Sequence, residues 1–194
     1  MSICILTHNR PLLFERCISA VQSLRNIDSN IDVVVNNDSD DVIPDSRARY
    51  FYHKGTLNEI YELLYRQAQG SHIWFVEDDD VPLKLPVQLD VMTIHRYVAH
   101  DYRIMSADIN SPEFQLSQCC IPKQMLDFNT IEHNCNCIFN DWHLTRKLPA
   151  RAVPDILYRQ TYNGDNISFP ESPKYRGHPG CSNCSWLPAP MRKP

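Results

Sequence analysis

The sequence predicts an α/β fold, a three-layer sandwich built on a mostly parallel central sheet. Three observations carry that prediction. Short apolar runs alternate with amphipathic helical patterns over residues 1–82, in the order β-α-β-β-α-β. The run Ile73-Trp74-Phe75-Val76 is continuously apolar, as a strand buried on both faces is. Polar residues follow three strand runs directly, at 7–10, 36–41 and 77–80. In a parallel sheet such ends share one edge, and that edge is where ligands bind.

Taken in order, residues 3–6 form the first strand, and Pro11 suits the first turn of the helix behind it. Leu12, Leu13, Cys17, Ile18, Val21 and Leu24 recur at helical spacing. Residues 31–35 are a second strand and 49–52 a short third. Thr56 caps a helix carrying Leu57, Ile60, Leu63, Leu64 and Ala68, which Gly70 stops. The 73–76 strand follows. Beyond Pro82, residues 87–98 read as a helix, 102–107 as a strand, and 114–121 and 136–139 as two more strands. Residues 140–148 and 152–160 read as short helices, and the proline-rich 169–194 as extended loop. There is no internal repeat and no linker.

The chain of 194 residues suits one compact domain, 1–194, with a substantial core. A net charge of −4 and a pI near 6.0 argue against a generally basic nucleic-acid binder, while leaving room for a local basic groove. The opening Met1-Ser2-Ile3-Cys4-Ile5-Leu6 runs straight into polar residues, as a first strand does and a signal peptide does not. With no stretch long enough to span a membrane, the expectation is a soluble cytoplasmic protein without a membrane anchor. Eight cysteines in such a chain are expected to be reduced, Cys4 and Cys17 as core thiols.

Four consecutive carboxylates, Glu77, Asp78, Asp79 and Asp80, close the apolar 73–76 run. Four acids at the mouth of a buried strand repel one another unless a cation sits there. Oxygen-only ligands favour a hard ion, Mn²⁺ or Mg²⁺, shared with substrate phosphates. Glu77 with Asp79, or Asp78 with Asp80, can face the ion, since alternate residues of an extended stretch point the same way. An acidic loop in water is the bland alternative.

The blocks Leu6-Thr7-His8-Asn9-Arg10-Pro11, 33–41, Gly55-Thr56-Leu57-Asn58 and 68–80 resemble, in order and spacing, those of family-2-like glycosyltransferases with the GT-A (Rossmann-like) fold. The last block resembles their Asp-x-Asp strand. The resemblance covers about the first half of the chain and implies a nucleotide-sugar-binding half, 1–82, and an acceptor-binding half, 83–194. It implies transfer of a sugar from a nucleotide diphosphate sugar, UDP by default, to an acceptor hydroxyl. Thr7, Asn9, Arg10, Asn36, Asp38, Asn58, Glu77 and Asp78 would contact the donor. Asp79, Asp80 and the late His178 would hold the metal, with Asp79 the leading direct ligand. Asn36 departs from the aspartate usual there, which leaves the base identity open. Asn163-Gly164-Asp165-Asn166-Ile167 is similar to the family's Glu-Asp motif, which implies Asp165 as the base of an inverting reaction, with Asp141 as its rival.

Two further expectations concern the second half. His178-x2-Cys181-x2-Cys184, with Cys119, Cys120, Cys135 or Cys137, has spacing suited to a structural Zn²⁺. Tyr158, Arg159, Tyr162, Lys174, Tyr175, Arg176, His178, Trp186, Arg192 and Lys193 mix aromatic and basic groups that can stack a sugar or a base. The acceptor is then a saccharide or, by similarity to phage glycosyltransferases that modify DNA, a hydroxymethylated DNA base flipped into the site. The competing functions are a nucleotidyltransferase on a related fold and a non-catalytic nucleotide-sugar-binding protein. The absence of glycine from 7–11 disfavours the first, and the intact acid cluster disfavours the second.

Overall fold

The computed structural model describes residues 1–39, 46–55, 57–110, 114–128, 145 and 147–161. Among the described residues, nine strands form one sheet. They are β1 (Ser2–Thr7), β2 (Asp32–Asn37), β3 (Arg49–Phe51), β4 (His72–Glu77), β5 (Asp80–Pro82), β6 (Met92–Val98), β7 (Ile104–Met105), β8 (Cys119–Pro122) and β9 (Ala150–Gln160). The helices are α1 (Pro11–Ile27) and α2 (Leu57–Gln67). The spatial order is β3-β2-β1-β4-β8-β6-β9-β5, with β7 on β6. The β3-β2-β1-β4 part is parallel throughout, as the alternating pattern predicts. β8 joins antiparallel to β4 and β6. β5 ends that order although only two residues separate it from β4 in the chain, so the sheet curls back on itself.

All six residues of β1 are buried, because layers cover both faces of that strand. Its side chains alternate between two cores. Ile3 and Ile5 pack with Val33, Val35, Trp74 and Val76 against Cys17, Ile18, Val21 and Leu24 of α1. Cys4 and Leu6 pack with Val34, Ile73 and Phe75 against Ile60, Tyr61 and Leu64 of α2. The period-2 strand pattern and the period-3.6 helix pattern thus bury complementary faces. Gly70 does more than stop α2. A Cβ there would stand 2.4 Å from the Met1 carbonyl carbon, and its N–H donates to Ser2 Oγ at 2.8 Å. Close approach of two backbones demands glycine.

Beside it, Asp32 anchors the start of β2. It accepts from Ser2 Oγ at 2.7 Å, from the Gln69 N–H at 2.9 Å and from both Arg49 Nε and Nη2. Burial pushes its carboxyl up, but these donors outweigh burial and hold it below the usual carboxylate value.

The second half corrects several sequence expectations. Residues 87–98 are expected to be helical, yet Met92–Val98 is a strand between β8 and β9. Leu89 and Val91 precede that strand, so the helical spacing joined apolar residues of two different segments. Residues 152–160 are also expected to be helical, yet Ala150–Gln160 is an eleven-residue strand. Its register against β6 jumps from His95↔Val153 to Arg96↔Ile156. Pro154 sits in that bulge, where a missing N–H costs no ladder hydrogen bond. A proline inside a supposed helix was the readable warning. The 102–107 strand shrinks to Ile104–Met105, and 114–121 divides into a 3-10 turn, Leu116–Gln118, and β8. The expectations for 136–139 and 169–194, and nearly all of 140–148, lie outside the described residues.

Cys4, Cys17, Cys119 and Cys120 are buried thiols. Cys119 and Cys120 are buried in β8, and among the described residues no three His, Cys, Asp or Glu groups converge on a metal site. Burial pushes the Cys120 thiol up to about 12. Cys135, Cys137, Cys181 and Cys184 lie outside the described residues. No helix among the described residues is long and apolar enough to cross a membrane.

Candidate functional site

The parallel register β2-β1-β4 pairs Thr7 with Asn37 and Leu6 with both Asn36 and Glu77. The three polar strand ends therefore lie side by side, as predicted. The chain after β1 turns sharply at Asn9, whose φ of 50° is left-handed, a conformation asparagine tolerates better than most residues. That turn sends Arg10 back across the sheet edge to the acid run.

Asp78 is the hub. Its carboxylate accepts from Thr7 Oγ1 at 2.8 Å, from Arg10 Nε at 3.1 Å and from the His8 N–H at 3.4 Å. Arg10 Nη2 approaches its second oxygen at 2.6 Å. Asp78 is wholly buried, and its N–H continues the β1 ladder to the Leu6 carbonyl at 3.1 Å. It ties the β1 loop to the end of β4. Burial works against the Arg10 charge, but Asp78, Asp79 and Glu77 outweigh it and raise the guanidinium's pKa.

The second strand end closes over the first. His8 Nδ1 meets Asp38 Oδ1 at 2.6 Å, and the Asn9 N–H donates to Ser39 Oγ at 2.6 Å. Asn36 is 1 % exposed, and both halves of its amide engage the main chain of His53: Nδ2 donates to the carbonyl at 3.1 Å, and Oδ1 accepts from the N–H at 3.1 Å. It holds the chain beyond β3 against β2. His8, Ser39 and His53 were not singled out from sequence, since their partners lie 17 to 30 residues away.

The remaining acids surround the turn from β4 to β5. Asp79 and Asp80 are 2 % and 1 % exposed. Asp80 Oδ2 accepts the Glu77 N–H at 3.3 Å, closing the turn on itself. Asp80 Oδ1 makes no well-formed hydrogen bond among the described residues, although the Ser117 hydroxyl is close enough to favour the charged carboxylate. Burial pushes Glu77, Asp79 and Asp80 up, Asp79 and Asp80 well above the ordinary range. After burial, the Glu77 charge is the largest influence on Asp79. Among the described residues, Arg10 is the cation that bears on these acids and is already paired with Asp78, so the described cluster is short of positive charge.

That deficit, buried all-oxygen donors and a bare Asp80 oxygen fit a hard divalent cation. Among the described residues, no three His, Cys, Asp or Glu groups converge to hold an ion unaided. One or two carboxylates completed by substrate phosphates and water are the expected shell for Mg²⁺ or Mn²⁺. The four acids differ in their partners: Asp78 faces the β1 loop, and Asp80 Oδ2 folds back on the Glu77 N–H.

Asp165, His178 and the side chain of Asn58 lie outside the described residues. Of the aromatic and basic residues assigned to an acceptor, Tyr158 is fully buried, stacked on Tyr97 at 5.0 Å, with its hydroxyl on Gln115 Oε1 at 2.7 Å. It is a core residue and has no surface to offer a sugar or base. A cavity of about 400 Å³ among Arg25, Asp32, Arg47 and Arg49 lies at the other end of β2 and β3. Arg47 and Arg49 are paired there with Glu15 and Asp32, so the cavity is structural.

Among solved structures, S. aureus TarS superposes with a TM-score of 0.59 at 12 % identity, over 84 % of this chain and 37 % of that one. The fold is of the GT-A type. The 1–349 portion of TarS in complex with UDP-GlcNAc gives 0.58 at 13 % identity, over 84 % and 58 % of the two chains. The mannosyltransferase PcManGT from Pyrobaculum calidifontis, in complex with GDP-Man and Mn²⁺, gives 0.56 at 12 % identity, over 82 % and 56 %. The chain thus spans between about a third and three-fifths of the length of these neighbours. No protein-family model and no curated protein sequence matches it.

Proposed function

We propose that this protein is a metal-dependent glycosyltransferase that moves a sugar from a nucleotide diphosphate sugar, UDP-linked by default, to an acceptor hydroxyl. One observation carries the reading. In a GT-A-type sheet, the ends of β1, β2 and β4 bring Thr7, Arg10, Asp38, Glu77 and Asp79 to one edge, where the acid turn lacks positive charge. The neighbours TarS and PcManGT, solved with UDP-GlcNAc and with GDP-Man and Mn²⁺, support a nucleotide-sugar donor.

Asp79, with Glu77 beside it, would hold the ion, and the late His178 is a further ligand by family resemblance. A bound Mn²⁺ or Mg²⁺ would neutralise charge gathering on the leaving diphosphate. Arg10, held at one end of the turn by Asp78, adds a fixed positive charge at the same edge. Thr7, Asn9 and Asp38 frame the nucleotide, Asn58 contributes from α2, and Asn36 shapes the base end through His53. In the transfer, the bond from the sugar's anomeric carbon to the diphosphate oxygen breaks. The acceptor oxygen bonds to that carbon and its proton passes to Asp165, inverting the centre. The acceptor is a saccharide hydroxyl or a hydroxymethylated base in DNA.

The test is sugar release and transfer from UDP-sugars in the presence of Mn²⁺, with saccharides and hydroxymethylated DNA as separate acceptor arms. Asp79→Asn is expected to lose about 100-fold or more of the turnover, the scale of a lost electrostatic stabiliser of the transition state. Metal-dependent turnover that survives this change would sink the assignment of Asp79. No hydrolysis and no transfer with any arm would instead favour a non-catalytic nucleotide-sugar-binding protein.

A further inference from the structure

The structure assigns Thr161 as a positioning residue for the acid turn, acting on Asp79 through its main chain. The inference rests on the proposed metal-dependent reading of that turn.

β9 runs from β6 across to β5, pairing Gln160 with Asp80, Arg159 with Val81 and Tyr158 with Pro82. The next residue, Thr161, places two donors on one acceptor. Its N–H lies 2.7 Å from the Asp79 carbonyl oxygen and its hydroxyl 2.7 Å from the same atom. A carbonyl oxygen has two lone pairs, and Thr161 engages both. This fixes the peptide plane that leaves Asp79, and with it the direction in which the Asp79 side chain projects.

Other bonds hold the neighbouring residues of the turn. Asp78 N–H bonds to the Leu6 carbonyl, and the Asp80 carboxylate bonds to the Glu77 N–H. Thr161 adds a hold from the second half, directly on the Asp79 carbonyl. Strand pairing alone would call for its N–H; the hydroxyl is additional. A metal-ligating carboxylate has to be held by surrounding hydrogen bonds to present a fixed geometry, and such outer partners govern affinity. Thr161 fills that role through the backbone.

Thr161→Val keeps the shape and the N–H but removes the hydroxyl; Thr161→Ser restores a hydroxyl. Binding of Mn²⁺ to the full chain with UDP present is read from the electron paramagnetic resonance signal of free Mn²⁺, alongside thermal unfolding without metal. Thr161→Val is expected to weaken Mn²⁺ binding about fivefold, the scale of one neutral hydrogen bond, with Thr161→Ser close to the parent. A variant that melts earlier yet binds Mn²⁺ like the parent would show a purely structural role and overturn the inference. A serine variant as weak as the valine one would overturn it too. If the parent itself binds no Mn²⁺ with UDP, the metal-dependent reading fails first and this inference falls with it.

Discussion

Arg10 and Asp78 form a two-point ion pair, Nη2 to Oδ1 at 2.6 Å and Nε to Oδ2 at 3.1 Å, with Asp78 fully buried and Arg10 only 19 % exposed. The two residues belong to different strand ends, 68 positions apart. Their pairing turns a run of four acids into a structured turn, and it separates one carboxylate from the other three.

Asp78→Asn should therefore be costly. The substitution keeps the shape but strands a largely buried guanidinium beside a neutral amide. Breaking one partner of such a pair destabilises by about 3 kcal/mol. Urea unfolding of Asp78→Asn, Arg10→Gln and the double variant is expected to show coupling above about 1 kcal/mol. Strict additivity would mean that the pair contributes nothing as a pair.

Asn36 gives a prediction that distinguishes a structural from a recognition role. Its amide donates to and accepts from the His53 main chain, so Asn36→Ala leaves two main-chain groups without their partner. A loss of about 1–3 kcal/mol is expected, the cost of unsatisfied buried polar groups. Asn36→Asp, assayed well below its melting temperature, should keep the parent's order of preference among UDP, GDP and other nucleotides. A reversed preference would place the side chain on the base itself.

His95, fully buried in β6, gives a pH prediction. Burial pushes its imidazole down to about 4, with Asp155 opposing and Lys84 adding to the fall. In the unfolded chain the same ring protonates near 6.5. Between those values the unfolded state binds more protons, so this residue's share of stability is constant above about 6.5 and declines as pH falls towards 4. The full decline is about 3 kcal/mol at the low end. The raised carboxyls Glu77, Asp79 and Asp80 act in the opposite sense, since the folded state holds their protons more tightly. The readout is accordingly the difference between parent and His95→Gln in urea midpoints from pH 7 to 4. That difference should narrow in the variant's favour as pH falls; a pH-independent difference would contradict it.

The sequence by itself determined the parallel half of the sheet and the edge where its polar strand ends meet. Local patterning suffices there: Ile3 and Ile5 against Cys4 and Leu6 specify two faces, α1 and α2 supply matching stripes, and parallel register forces the polar ends together. Thr7, Arg10, Asp38 and Glu77 to Asp80 were legible for that reason. The tertiary structure alone decided what each of those residues touches. Four acids in a row look equivalent in sequence, but curvature at 77–80 turns Asp78 to Arg10 and Asp80 to the Glu77 N–H. It also decided β6 and β9, read as helices from spacing: β6 is an inner strand of the curled sheet, buried along most of its length, while β9 is exposed or half-buried over its first part and buried only near its end, so neither shows a plain period-2 pattern. The place of Thr161 followed from that curl. Its bond to Asp79 spans 82 residues, and no local pattern encodes a contact made only when a sheet closes on itself.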